Sequence, residues 1–92
     1  MRTYQTKNSK DKLFFTNYNR IDEQVVFDEI VGILKRNPCI ILGEKTIGPS
    51  EDIYKCKISD EKFELVFDID YGGYIQSESE KAIKEIENIL NS

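Results

Sequence analysis

Apolar and polar positions alternate with two different periods along this chain. From Asp22 to about Arg36, Val26, Ile30, Ile33 and Leu34 recur at helical spacing, and Phe27 and Val31 widen the stripe. That period predicts a helix over 22–36. Asp22 suits the N-cap, Glu23 the positive end of the helix dipole, and Lys35-Arg36 the negative end. Asn37-Pro38 stops the helix, because a residue before proline avoids the α region. Gly32 costs such a helix about 1 kcal/mol against Ala. Close approach of a strand backbone is the expected reason for it.

A period of two takes over further along. Tyr54, Cys56 and Ile58 share one face of 52–58, and Phe63, Leu65, Phe67 and Ile69 share one face of 62–70. Ser59-Asp60-Glu61-Lys62 between them has turn composition. A hairpin folded at Asp60-Glu61 pairs Ile58 with Phe63, Cys56 with Leu65 and Tyr54 with Phe67. It also sets Lys57 opposite Glu64 on the other face. A slip of one residue would send Leu65 and Phe67 to solvent. Upstream, Pro38–Gly43 is a short apolar run, expected as a strand buried on both faces, and 43–51 is expected as a loop. Leu13, Phe14, Phe15 and Tyr18 suggest a short strand from Lys12 to Tyr18. Residues 1–11 are polar and expected as a flexible basic arm.

Tyr71-Gly72-Gly73-Tyr74 allows positive φ and predicts a tight turn or a bend before a short strand at Tyr74–Gln76. Ser77 and Glu80 fit a capping box, opening a helix at 78–90 whose stripe is Ala82, Ile83, Ile86, Ile89 and Leu90. With no internal repeat, the expectation is a single α+β domain over 12–92. It is a two-layer sandwich in which two amphipathic helices pack a small antiparallel sheet. Its expected core is Val26, Ile30, Leu34, Ile41, Cys56, Leu65, Phe67, Ile83 and Ile86.

Composition narrows the function classes. The longest apolar run is four residues, Cys39–Leu42, far from the ~20 of a membrane span. Residues 1–12 lack the apolar core of a signal peptide, so a cytoplasmic location and no membrane partner are expected. The net charge of −4 is uneven: four bases and one acid give residues 1–12 a balance of +3, while nine acids and three bases give residues 59–92 a balance of −6. So acidic a body repels nucleic acid. Cys39 and Cys56 are too few for a disulfide framework and are expected as reduced core residues, although neighbouring strands could bring them together.

The chain has no His, which removes the commonest general base and metal ligand. Gly43-Glu-Lys-Thr-Ile-Gly48 places Lys-Thr before the second Gly, unlike a phosphate-binding loop. Asp68–Ser79 matches an EF-hand loop at positions one, three, six and eight. Gly72 at position five brings no ligand, and Ser79 at twelve replaces the bidentate Glu. No metal, cofactor or enzyme activity is therefore expected. Asp68, Asp70, Glu78 and Glu80 surround Tyr71 and Tyr74 in sequence. Besides a plain solvated face, they make a candidate partner-binding patch, because Tyr gives contact area at low entropy cost and carboxylates select a basic partner.

A small acidic domain without catalytic residues, ending in Phe67-Asp-Ile-Asp-Tyr-Gly-Gly-Tyr74 and an amphipathic helix, resembles the immunity proteins of bacterial toxin–immunity pairs. The likeness is one of size, charge and layout and is best in the C-terminal half. It implies a non-catalytic inhibitor that binds and neutralises a basic toxin domain, often a nuclease, its acids standing in for phosphates. The alternatives are a phage or mobile-element inhibitor of a host nucleic-acid enzyme and a homodimeric structural or interaction module.

Overall fold

The computed structural model describes residues 3–5, 10–16, 22–68, 70 and 72–91. It is an α+β fold with six antiparallel strands in one sheet and two helices. The strands are β1 (Thr3–Tyr4), β2 (Lys12–Phe15), β3 (Ile40–Ile47), β4 (Glu51–Ile58), β5 (Glu61–Asp68) and β6 (Gly72–Gln76). The helices are α1 (Glu23–Lys35), between β2 and β3, and α2 (Glu80–Leu90), after β6. Strand order across the sheet is β1-β2-β6-β5-β4-β3, so the first and third strands form the two edges.

One alternating set of strand residues builds the core. Leu13 and Phe15, Ile75, Phe63 and Leu65, Cys56 and Ile58, and Ile40 are buried in one cluster. Val26, Phe27, Ile30 and Leu34 of α1 join them, as do Ala82, Ile83, Ile86 and Leu90 of α2. Phe67 is half-buried and packs on this cluster, its ring edge-on to Phe27 at 5.0 Å. Ile69 and Tyr18 lie outside the described residues.

The first helix begins as its sequence predicts. The Asp22 carboxylate accepts a hydrogen bond from the Gln24 N–H at 2.8 Å, which satisfies one of the helix's free amides. Among the described residues no strand approaches Gly32. A Cβ there would meet only the end of the Arg36 side chain, at 3.4 Å, so nothing in the packing offsets its helix cost. The second helix starts later than its capping-box pattern suggests. Ser79 is the N-cap and accepts from the Ala82 N–H at 3.1 Å. Ser77 is instead buried; its hydroxyl donates to the Lys62 carbonyl at 2.7 Å and accepts from the Ser79 N–H at 3.0 Å.

Pairing in the central hairpin is displaced by two residues from the expected register. Ser59 and Asp60 both have positive φ, 46° and 71°, and make a two-residue turn. Such a turn twists in the same sense as its strands. Ile58 therefore faces Glu61, Cys56 faces Phe63, and Tyr54 faces Leu65. A shift of two keeps every side chain on its own face, so the core is unchanged while each cross-strand pair is new.

The expected doubly buried strand is an edge strand. Ile40 is 7% exposed but its neighbour Ile41 is 65% exposed, so Ile41 is not a core residue. The strand also runs on to Ile47 through the segment expected as a loop. A bulge between Leu42 and Lys45 interrupts its pairing with β4. Gly43 sits there against the Lys55 carbonyl oxygen, leaving no room for a Cβ.

Within the segment expected as an arm, Thr3–Tyr4 pair with β2. Thr3 is fully buried, and its N–H and hydroxyl both donate to Asn91 Oδ1, at 3.1 and 2.9 Å. Cys39 is exposed rather than in the core, Cys56 is buried, and both are free thiols. Burial pushes the Cys56 thiol up to about 11, against backbone hydrogen bonds that act the other way. It therefore stays protonated and unreactive at neutral pH.

Candidate functional site: the second face of the sheet

Residues that alternate with the core set lie on the opposite face of the sheet, and the strand register arranges them in rows. One row runs Tyr4, Phe14, Tyr74, Val66, Ile53 and Thr46, crossing all six strands. Its aromatic members form a ladder. Tyr4 and Phe14 stack at 5.6 Å between centroids, and Phe14 and Tyr74 meet at 5.9 Å with a tilt of 46°. Lys12 Nζ lies 5.6 Å from the centroid of the Tyr74 ring, a cation–π arrangement. Val66 is only 3% exposed although it is on this face, while Tyr4 at the sheet edge is 44% exposed.

Charge is sorted along the strands on either side of that row. At one end Glu51 stands directly opposite Asp68. Beyond the apolar row, Lys55 faces Glu64, and at the far end Lys57 faces Lys62. Lys57 and Lys62 make no ion pair among the described residues. Like charges directly opposite each other in a ladder are destabilising, and this hairpin carries two such pairs, of opposite sign, at its two ends. The lysine end borders a concavity of about 770 Å³ lined by Lys55, Lys57, Lys62, Gln76, Glu78 and Asp11, among others.

Tyr74 is the member of the row most exposed to charge. Burial first, then the carboxylates of Glu51, Asp68 and Glu64, push its phenol pKa up. Three carboxylates bear on one aromatic side chain half-buried among other rings.

The sequence-predicted patch is only partly assembled. Asp68 and Asp70 stay together: Asp68 Oδ1 accepts from the Asp70 N–H at 2.8 Å in the β5–β6 turn. Tyr74 is in mid-strand on β6, above this turn, and Tyr71 lies outside the described residues. Glu78 and Glu80 follow the other end of β6, about 20 Å from Asp68 at ~3.3 Å per residue. Glu78 borders the lysine end, and Glu80 occupies the first turn of α2.

Sequence reasoning missed Tyr4, Phe14, Val66, Ile53, Glu51 and the three lysines. A signal for part of it was present. Phe14, Ile53 and Val66 are apolar residues out of phase with their strands' core-facing set. Each alone reads as noise; three that the strand register places in one row mean a second apolar surface. Among the described residues no cluster of three or more Cys, Asp or Glu could hold a metal ion. No helix among them is long and apolar enough to cross a membrane. No protein-family model, curated protein or solved structure matches this chain.

Proposed function

We propose that this protein is a non-catalytic binding domain that docks a basic protein partner on the second face of its sheet, as an immunity protein docks a toxin nuclease. In this reading the two amphipathic helices form one layer, the sheet forms the other, and the face away from the helices is the working surface. The observation that carries the proposal is Tyr74, set in a ladder with Phe14 and Tyr4 while the Glu51, Asp68 and Glu64 carboxylates bear on it. Tyrosine is enriched at interfaces and among hot spots, and the polar rim of an interface carries the charge. The acid end of that face, Glu51 beside Asp68, suits a basic partner, and with it a cytoplasmic inhibitor whose carboxylates take the place of substrate phosphates. Asp70 extends the acidic end, whereas Glu78 and Glu80 stand apart from it.

The test is real-time binding to a basic nuclease toxin from the same host at several salt concentrations. Replacing Glu51 with Gln and Asp68 with Asn is expected to slow association and flatten its salt dependence, since those charges steer encounter. Tyr74→Ala is expected to speed dissociation about ten-fold or more, the loss of roughly 1.4 kcal/mol or above that defines a hot spot. Unchanged rates for both variants would place the partner elsewhere on the molecule.

A further inference from the structure

The open edge of β3 matches the same edge of a reversed second copy, and from that match we infer that the chain dimerises by antiparallel pairing of β3 with β3. The strand is eight residues long and has a neighbour on one side only. Along an antiparallel pair, residues that bond the neighbour alternate with residues whose N–H and C=O point away from it. Gly48 N–H donates to the Glu51 carbonyl at 2.8 Å, so Gly48 and Thr46 face β4 while Lys45 and Ile47 point outward. Ser59 N–H donates to the Cys39 carbonyl at 3.2 Å, so Cys39 and Ile41 face β4 while Ile40 and Leu42 point outward. Gly43 and Glu44, at the bulge, share the place opposite Lys55. Among the described residues the N–H groups of Leu42, Lys45 and Ile47 have no backbone partner, whereas that of Ile40 donates to the Asn37 carbonyl at 3.1 Å.

The outward set of Ile40, Leu42, Lys45 and Ile47 is symmetric about the bulge. A two-fold axis perpendicular to the sheet at Gly43-Glu44 sets Leu42 against Lys45 of the mate and Ile40 against Ile47 of the mate. Each Leu42–Lys45 meeting makes two main-chain hydrogen bonds and each Ile40–Ile47 meeting one. A shift of one residue sets every outward group against an inward one, and a shift of two matches only half of them. The faces agree in the same register. Ile40 and Leu42 pack on the core, Lys45 Nζ lies 5.7 Å from the Tyr54 ring, and Ile47 shares that side by alternation. Ile47, 76% exposed, comes to lie beside Ile40 of the mate, and Ile41, 65% exposed, beside Thr46 of the mate. These two are the most exposed large apolar side chains among the described residues. The bulge and Glu44 are devices that guard an edge, and the axis brings the two Glu44 side chains near each other, so the contact is weak and reversible. Lys45 is close by but tied to Asp52 at 3.7 Å. The opposite edge, β1, is two residues long and offers no comparable pairing, so assembly closes at two copies. The second sheet face stays uncovered, and the inference does not need the partner proposed for it.

Sedimentation of the intact chain tests it. Wild type is expected to approach twice the monomer mass as its concentration rises. Ile47→Pro removes an outward N–H and no bond to β4, so it is expected to stay monomeric while the dilute chain melts close to wild type. Ile47→Asp keeps the backbone, puts a charge beside Ile40 of the mate, and is expected to be monomeric as well. Glu44→Gln relieves the repulsion at the axis and is expected to tighten the dimer about two- to five-fold, the range for a cross-strand pair. Tyr74→Ala, on the uncovered face, is expected to dimerise like wild type. A wild type that stays monomeric throughout would overturn the inference, as would Ile47 variants that dimerise like wild type or a Glu44→Gln dimer no tighter than wild type. A dimer broken by Tyr74→Ala would place the contact on the second sheet face and overturn it too. Partner binding lost by Tyr74→Ala in a chain that is always monomeric would remove this inference alone and leave the partner reading standing.

Discussion

Leu65→Ala is expected to destabilise the protein by about 2–5 kcal/mol, the range for emptying a close-packed leucine site. Leu65 is 0% exposed, and its strand lies inside the sheet. It faces Tyr54 on β4 and Ile75 on β6, both core-facing positions. The surroundings are held by pairing on both sides, so they can close only part of the cavity. A domain of this size has roughly 5–14 kcal/mol in all, so the loss is a large fraction of the whole. The melting temperature should fall by roughly 8 °C or more, at about 4–8 °C per kcal/mol for small domains. In urea the midpoint should drop with the slope unchanged, because the surface exposed on unfolding stays the same. A cost below about 1 kcal/mol would mean that this face of β5 is not the core.

Gly73→Val should cost about 3 kcal/mol, the upper end of the usual range, by the opposite route of overfilling. Gly73 is on the core side of β6, opposite Phe67. A Cβ there would lie 2.7 and 2.8 Å from two carbons of the Phe15 ring and 3.0 Å from Phe27. Those atoms belong to rigid rings, themselves buried, and cannot swing aside as the end of a lysine could. The clash identifies its own remedy. In the double variant Gly73→Val/Phe15→Leu the two changes should be strongly non-additive, the smaller side chain recovering part of the loss. Simple addition of the two costs would show that the valine is accommodated elsewhere.

What the sequence made legible follows from which physical signals are local. The α1 cap at Asp22, the α1 stripe of Val26, Ile30 and Leu34, and the core faces of β4 and β5 are all short-range patterns, and they correspond to observed features. The hairpin register was not local in this sense. Alternation fixes which face a residue takes but is blind to a shift of two, and Ser59-Asp60 contains no glycine to mark the left-handed turn. Ile41 was misplaced because a continuous apolar run has no period. Only the edge position of β3 decides which of its isoleucines is exposed. Ser77, expected as the cap, instead gives its hydroxyl to the Lys62 carbonyl, 15 residues away and beyond any local pattern, and Ser79 caps the helix.

The candidate site was harder still to read. Asp68, Asp70 and Tyr74 are near in sequence and were legible as a group. Glu78 and Glu80 group with them in sequence because Tyr71–Tyr74 reads as a turn or a bend before a short strand at Tyr74–Gln76, whereas β6 already starts at Gly72 and runs five residues. The rest of the surface joins β1, β2, β6, β5, β4 and β3, whose adjacency depends on the full strand order. Phe14 and Tyr74 are sixty residues apart in the chain, yet they are ladder partners.

That the second sheet face is the interacting surface can be tested directly on backbone amides. Titration of the ¹⁵N-labelled chain with a basic nuclease toxin from the same host, at low salt, reports which residues change surroundings on binding. Shifts are expected at Phe14, Tyr74, Ile53, Glu51 and Asp68, with the exposed side of α1 at Gln24, Asp28 and Glu29 unmoved. Shifts that cluster on that helix surface instead would contradict it.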